Sequence, residues 1–245
     1  MRADWILPDW PAPKSVRALS TTRHGGISTG AFASLNLGEH VDDAPDAVAE
    51  NRRRLQAEIG AAQPRWLSQV HGTRVVRLAG AAVTEPADAA VTAKPGEACL
   101  IMTADCMPVL FCDASGSRVA AAHAGWRGLA AGVLEATLAE MGTSPGEVMA
   151  WMGPAIGPKH YEVGEEVRQA FAAHDPQAIQ AFAQGRAPDK WWCDLYMLAR
   201  QRLDAAGVKA VYGGGFCTFD DEERFFSFRR DSGRTGRMAT LIYMV

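Results

Sequence analysis

Two histidines and one cysteine are the residues best suited to chemistry in this chain of 245 residues. His71, Cys106 and His123 each lie within two residues of a glycine or a proline, close to the end of a predicted strand. Side chains at strand ends can converge in a cleft even when they are far apart in sequence. Two imidazoles and a thiol suit a transition metal, and they also suit a cysteine–histidine catalytic pair. We therefore expect the three side chains to meet at one site.

Several kinds of chemistry are open to this set. A catalytic zinc ion typically has three protein ligands and an open position, where bound water becomes a nucleophile near neutral pH. The set also resembles a mononuclear copper site, with Met102 or Met107 as an axial ligand. Without a metal, Cys106 is the nucleophile and His123 or His71 is its base. A multicopper centre is disfavoured, because the chain has six histidines and no His-x-His pair.

Other polar residues are candidates to support or surround the site. Asp105, beside the cysteine, is either an acceptor for a ligating imidazole or the cap of a turn. The stretch 228–237, called the arginine loop below, has four arginines among Ser, Thr and Gly. Its Arg229 and Arg237 are candidates to bind phosphate, with a solvated hairpin turn as the alternative. Asn36 is a candidate to line a substrate cleft, with a tight turn as the alternative.

Composition and charge disfavour several classes of protein. The chain is 48% hydrophobic and 22% charged, as is usual for a globular protein. A formal net charge of −3 gives no general attraction to nucleic acid or to an anionic membrane. No apolar run approaches the roughly 20 residues that span a bilayer. Five scattered cysteines without a Cys-x-x-Cys pair favour a reducing cytoplasm, and no obligate protein partner is indicated.

The spacing of apolar residues predicts a fold with both helices and strands. Helices are predicted at 46–59, 129–141, 165–173 and 194–206, the first capped by Asp46 and ended by Gly60. The predicted strands are 16–22, 65–69, 74–78, 99–103, 109–112, 119–123, 148–152, 208–211, 225–228 and 239–244. The stretch 183–190 is predicted to be a surface excursion. Hairpin-length connections favour an α+β sheet of mixed direction over a doubly wound sheet.

The motifs of the chain resemble those of the YfiH-like family, also labelled polyphenol oxidase, laccase-domain protein or peptidoglycan editing factor. The matching segments cover nearly the whole chain in the same order: 21–26, 36–38, 69–72, 103–108, 123–128 and 235–237. The resemblance implies one α/β/β/α layered domain over residues 1–245, similar to cysteine-hydrolase-like folds. It also implies a metal, usually zinc with copper as the alternative, bound by His71, Cys106 and His123.

The resemblance further implies an enzyme that acts on purine nucleosides. The expected reaction is phosphorolysis of adenosine, inosine and methylthioadenosine to a free base and a sugar 1-phosphate, with adenosine deamination as a side activity. We expect His71, Cys106 and His123 to be catalytic. A copper-dependent phenol oxidase and a Cys106-dependent amidase that edits peptidoglycan precursors are the alternatives. A purely structural zinc is disfavoured, because such sites normally have four protein ligands.

Overall fold

The computed structural model of the chain describes residues 4–78 and 86–245. Its strands are β1 (Val16–Ser20), β2 (Gln63–Arg65), β3 (Val75–Arg77), β4 (Ala89–Thr92), β5 (Glu97–Thr103), β6 (Met107–Asp113), β7 (Val119–Ala124), β8 (Val148–Met152), β9 (Glu162–Gly164), β10 (Phe182–Gln184), β11 (Lys190–Cys193), β12 (Ala210–Gly213) and β13 (Met238–Met244). Its helices are α1 (Pro45–Ile59), α2 (Trp126–Ala131), α3 (Val133–Met141), α4 (Glu165–Ala172) and α5 (Leu195–Ala205). Short 3₁₀ helices lie at Gly30–Phe32, Pro145–Glu147 and Pro176–Ala181.

Two sheets of mixed direction pack face to face. One has the strand order β1–β13–β5–β2, and the other has the order β12–β8–β6–β7–β4–β3. The pairs β2–β5, β3–β4 and β8–β12 are parallel, whereas β1–β13, β13–β5, β4–β7, β6–β7 and β6–β8 are antiparallel. A small third sheet has the order β10–β11–β9. The predicted mixed direction of the strands is therefore confirmed.

Strand β6 shows why the fold has four layers. Its residues are buried without exception, and alternate side chains point to opposite faces. Leu110 and Cys112 pack between the two sheets, whereas Val109 and Phe111 pack against the layer formed by α2–α5. Helix α1 covers the outer face of the four-stranded sheet through residues such as Leu55. The resulting order of layers is the predicted α/β/β/α.

Two predicted helices differ from the observed ones in detail. The predicted helix 129–141 is two helices, because Gly132 adopts a left-handed φ of +100° and separates α2 from α3. Ala44 precedes α1 without a side-chain cap, and Asp46 lies inside the first turn, so the prediction that Asp46 caps the helix is wrong. A carboxylate in the first turn still favours the helix, because the amino end of a helix carries partial positive charge. Gly60 ends α1 as predicted.

Several predicted strands and loops also differ. The predicted strand 225–228 does not form. Phe225 and Phe226 lie in irregular backbone, where they are buried against Met238. Their apolar character reflects this burial and not a strand. The stretch 183–190, predicted to be an excursion, joins β10 to β11 and contributes to both strands. The strand predicted at 65–69 has ended at residue 65. Among the helices of the described residues, none has the length and apolar character needed to cross a membrane.

The packing between the two sheets predicts the result of shortening Leu110, which is fully buried there. We expect Leu110→Ala to lower the free energy of unfolding by about 2–5 kcal/mol, because the change removes buried methyl groups and leaves a cavity. Denaturant titration followed by circular dichroism measures the effect. Leu7→Ala is the control, because Leu7 is 72% exposed. An equal loss of stability in both variants would contradict the assignment of the core.

Candidate active site

His71, Cys106 and His123 meet at one end of the central strands of the six-stranded sheet. His71 lies in the turn between β2 and β3, Cys106 directly precedes β6, and His123 lies in β7. The antiparallel register places Pro108 opposite His123, so Cys106 and His123 come together at the same end of two neighbouring strands. Their potential ligand atoms all lie within 4.8 Å of one another. The Cys106 Sγ is 3.7 Å from His71 Nε2, and the two imidazole centroids are 4.7 Å apart.

A buried carboxylate, Asp88, holds two of these side chains in place. It is fully buried just before β4, and its Oδ1 lies 2.8 Å from Nδ1 of His123. The same carboxylate accepts the backbone N–H groups of Val70, His71 and Gly72, the last two at 2.9 and 2.7 Å. The turn therefore wraps around the carboxylate, with His71 at a left-handed φ of +61°. Because Nδ1 of His123 faces Asp88, its Nε2 is the nitrogen available to bind a metal ion.

Charge in the site favours the thiolate form of Cys106. Burial alone raises the pKa of this thiol, but the neighbouring His123 and His71 lower it to about 6. Burial alone lowers the pKa of His123, whereas Cys106 and Asp88 raise it to about 9. Burial likewise raises the pKa of Asp88, but hydrogen bonds from His123 and the backbone amides hold it below its usual value. A thiolate is the form of cysteine that binds metals and acts as a nucleophile.

The three donors fit a single metal ion. Two imidazoles and one thiolate are the ligand types that zinc accepts, and three protein ligands are typical of a catalytic zinc site. The close approach of the three candidate ligands favours glycine at position 125, between β7 and α2. A Cβ atom on Gly125 would lie 2.9 Å from Cδ2 of His71 and 3.0 Å from Sγ of Cys106. The local sequence therefore keeps this space clear of protein atoms.

The three side chains lie in a cleft of about 660 Å³. Besides these three, the lining includes three arginines, Arg127, Arg229 and Arg237, and His40, whose pKa is held below its usual value by burial and by the nearby Arg237. Its remaining lining residues are Leu67, Ser68, Gln69, Met102, Thr103, Ala104, Asp105, Trp126, Ile156, Tyr161 and Phe228. Within residues 4–78 and 86–245, Asp105 is the single carboxylate of the lining. The cleft therefore combines a candidate metal site with a surplus of positive charge and several apolar or aromatic walls.

Two of the three predicted phosphate-binding or substrate-binding residues line this cleft, and one does not. Arg229 and Arg237 are in the lining, and Nη1 of Arg229 donates to the carbonyl of Glu162 at 2.8 Å. Asn36 is fully buried, and its Oδ1 accepts the backbone N–H of Arg237 at 2.9 Å. The same oxygen accepts the N–H of Gly38, also at 2.9 Å. Asn36 therefore acts on the cleft through the backbone of Arg237.

Asp105 does not accept a hydrogen bond from an imidazole, because Asp88 occupies that position. Its Oδ1 accepts the hydroxyl of Thr218 at 2.6 Å, and its Oδ2 accepts the backbone N–H of Arg229 at 2.7 Å. Of the two roles considered for Asp105, the structure therefore favours that of holding a turn. The turn that it holds is the start of the arginine loop.

One serine has the Gly-x-Ser-x-Gly spacing of a hydrolase nucleophile, in the segment 26–30. This residue, Ser28, is only 4% exposed. Its hydroxyl donates to Asp43 at 2.6 Å and accepts a hydrogen bond from Asn51 at 2.9 Å. Both bonds stabilise the loop before α1, and Ser28 does not line the cleft. The spacing has a structural role here.

Comparison with known proteins assigns the chain to a family. Residues 17–245 match the family model described as multi-copper polyphenol oxidoreductase laccase. The chain belongs to this family. A relative from Pseudomonas aeruginosa, named purine nucleoside phosphorylase, is 58% identical over 240 residues and matches 98% of each chain. A relative from Escherichia coli, named purine nucleoside phosphorylase YfiH, is 52% identical over 242 residues, again with 98% of each chain covered.

Solved structures of the family share the fold. A Neisseria meningitidis protein superposes with a TM-score of 0.93 at 50% identity, covering 98% of this chain and 99% of its own. YlmD from Geobacillus stearothermophilus gives a TM-score of 0.91 at 33% identity, covering 100% of this chain and 97% of its own. The resemblance to the YfiH-like family is therefore confirmed, together with the fold that it implied.

The family description mentions several copper ions, whereas the donors suit one ion. Within residues 4–78 and 86–245, the one group of three or more candidate ligands is the set of two histidines and Cys106. Of the methionines considered as axial ligands, Met107 packs in the core beneath the sheet and Met102 lines the cleft. A multicopper cluster needs more imidazoles than this group supplies.

Sequence reasoning missed several residues of the site. Asp88 is an isolated acid in the run Ala87–Val91, and an acid within a buried apolar run is a signal for a hydrogen-bonding role. Arg127 lies within the segment 123–128 that carried the family resemblance. His40 and Tyr161 had no local signal, because only the tertiary fold brings them to the cleft.

The contacts of Asp88 predict the result of Asp88→Asn. We expect the dissociation constant for zinc to rise by about 10- to 100-fold, because the variant loses the charge that orients His123 and closes the 70–72 turn. Competition with a chromophoric chelator measures the affinity, and circular dichroism checks the fold. Asp113→Asn is the matched control, since Asp113 is also a buried carboxylate that holds a turn, at the far end of β6. Unchanged zinc affinity in Asp88→Asn would contradict this role.

Proposed function

We propose that the chain is a zinc-dependent purine nucleoside phosphorylase that acts on adenosine, inosine and methylthioadenosine and also deaminates adenosine. The observation that carries the proposal is the cleft, which joins His71, Cys106 and His123 to several guanidinium groups. The names of the relatives from Pseudomonas aeruginosa and Escherichia coli support it, because the match covers almost the full length of each. We place the enzyme in the cytoplasm, where nucleosides and phosphate are its small-molecule partners.

Phosphate binding is the task proposed for the arginines. Nη1 of Arg229 is anchored by the Glu162 carbonyl, and Nη1 of Arg237 is anchored by the carbonyls of Thr235 and Gly236. A guanidinium has five N–H donors in a planar fork that matches phosphate oxygens. Anchoring through one nitrogen fixes the direction of the others. Arg127 adds a third positive charge, with its guanidinium 4.4 Å from the Trp126 ring centroid.

Phosphorolysis then follows from how the cleft orders its two substrates. A phosphate oxygen attacks the anomeric carbon of the ribose, the bond from that carbon to the purine nitrogen breaks, and the base leaves with the electron pair and takes up a proton. Trp126, Tyr161 and Phe228 line the cleft and suit the flat face of a purine. The arginines hold the phosphate within reach of the anomeric carbon, so the reaction does not depend on a chance encounter of the two substrates in solution. Zinc at the three ligands would supply Lewis-acid chemistry.

A second candidate is a cysteine-dependent amidase that edits peptidoglycan precursors. Its support is the lowered pKa of Cys106, together with Nε2 of His71 at 3.7 Å from the sulfur. A thiolate beside an imidazole is the usual arrangement of a cysteine nucleophile. The family description makes a copper-dependent phenol oxidase the further alternative. Metal dependence and reaction products separate these readings.

Product analysis tests the proposed reaction. Zinc-loaded protein is incubated with adenosine in the presence and absence of phosphate. We expect ribose 1-phosphate and adenine only when phosphate is present, and inosine without phosphate. Chelation should abolish both reactions, which would oppose a metal-free thiol mechanism for them. Cys106→Ala and His123→Ala should each lose activity and remain folded by circular dichroism. Full activity in either variant would refute the ligand assignment.

Removal of one guanidinium tests the phosphate site. We expect Arg229→Ala to raise the KM for phosphate by about 10-fold or more, because a charge-assisted contact to phosphate is lost. Deamination of adenosine, which consumes no phosphate, should continue at the wild-type rate. Arg53→Ala is the control, since Arg53 is an exposed arginine of α1 paired with Glu50. Equal losses of phosphorolysis and deamination in Arg229→Ala would contradict a phosphate-specific role.

A further inference from the structure

Asp105 has an unusual backbone conformation directly before the ligand Cys106. Its φ is +91°, in the left-handed region that residues other than glycine rarely adopt. Such conformations cost free energy and persist where the surroundings hold the residue from several sides. Asp105 is only 8% exposed, so its contacts are shielded from water.

Three hydrogen bonds hold Asp105, and each comes from a different segment. The hydroxyl of Thr218 donates to Oδ1 at 2.6 Å, and the backbone N–H of Arg229 donates to Oδ2 at 2.7 Å. The backbone N–H of Ile156 donates to the carbonyl oxygen of Asp105 at 2.9 Å. Two of the three donating residues, Ile156 and Arg229, line the cleft. One residue thus connects the thiolate ligand to two walls of the cleft.

The contact to Arg229 fixes the cation at both of its ends. Its backbone N–H is bound to Asp105, and its guanidinium is bound to the carbonyl of Glu162. We propose that Asp105 is a positioning residue that sets the place of Arg229 relative to Cys106, and thereby determines phosphate affinity. This inference rests on the proposed function in one respect, namely that the anion bound by Arg229 is phosphate.

The sign of the effect separates positioning from simple electrostatics. Of the lining residues that the structure describes, Asp105 alone has a carboxylate, and three of the others are arginines. If only its charge mattered, its removal would strengthen the binding of phosphate, because like charges repel. If it positions Arg229, its removal weakens the binding of phosphate. The two explanations therefore predict opposite changes.

Two substitutions remove the carboxylate in different ways. Asp105→Asn keeps the shape of the side chain and tolerates a left-handed φ. It replaces one of the two carboxylate oxygens by an NH₂ group, which cannot accept the hydrogen bond from Thr218 or Arg229 that this oxygen accepted. Asp105→Gly suits the backbone conformation best and removes both side-chain bonds. If relief of backbone strain were all that mattered, the glycine variant would behave like the wild type. Asp113→Asn, at the other end of β6, is again the control.

The test combines calorimetric titration of zinc-loaded protein with inorganic phosphate, steady-state kinetics, and hydrogen exchange of the peptide that contains residue 229. We expect both Asp105 variants to raise the Kd and the KM for phosphate by about 10- to 100-fold, as loss of a charged hydrogen bond would. The rise in KM should exceed any fall in kcat at saturating phosphate, and the zinc affinity should change less than the affinity for phosphate. The amide of Arg229 should exchange faster.

The outcomes distinguish this inference from the proposed function. Phosphate binding that is unchanged or tighter in both variants overturns the inference, as does a parallel loss of zinc affinity. A wild-type protein that binds phosphate but releases no ribose 1-phosphate sinks the proposed function and leaves the positioning role to be decided by the same titrations. A wild-type protein that binds no phosphate overturns both.

Discussion

The arrangement of the site depends on one buried negative charge. A carboxylate without water is stable only when hydrogen bonds replace its hydration. Asp88 satisfies this requirement with an imidazole from β7 and backbone amides from the 70–72 turn. These donors come from parts of the chain far apart in sequence. The hydrogen bonds that stabilise the Asp88 carboxylate therefore bring two of the three candidate ligands, His71 and His123, close together.

The layered fold supplies the rigid frame on which this gathering depends. Strands β6 and β7 are buried on both faces. One face of each strand packs against the four-stranded sheet, and the other face packs against the helices. Their register brings the residue before β6 beside His123 near the end of β7. Irregular segments then complete the cleft, and side-chain hydrogen bonds hold their backbone. Asn36 accepts the backbone N–H of Arg237, and Asp105 accepts that of Arg229. Rigid strands thus set the candidate metal site, while loops set the charge around it.

The sequence predicted those parts of the molecule that local patterns determine. Apolar runs at 99–103, 109–112 and 119–123 are dense enough to identify buried strands. The residue types of His71, Cys106 and His123, each near a glycine or a proline, identified the candidate ligands. Other parts depend on tertiary contacts. Phe225 and Phe226 resemble a strand because burial, whatever the backbone, selects apolar side chains. The pairing of β6 with β7 and the partners of Asp88 arise only once the sheets have formed, so no local pattern reports them.

Glycine at position 125 has a consequence for how the centre is assembled. The sulfur and the imidazole approach each other across a gap that even a methyl group would fill, and their supports are protein hydrogen bonds. A side chain at this position would press on the sulfur and the imidazole at once. The room available at the candidate centre is therefore set by a single missing Cβ atom as well as by the three side chains themselves.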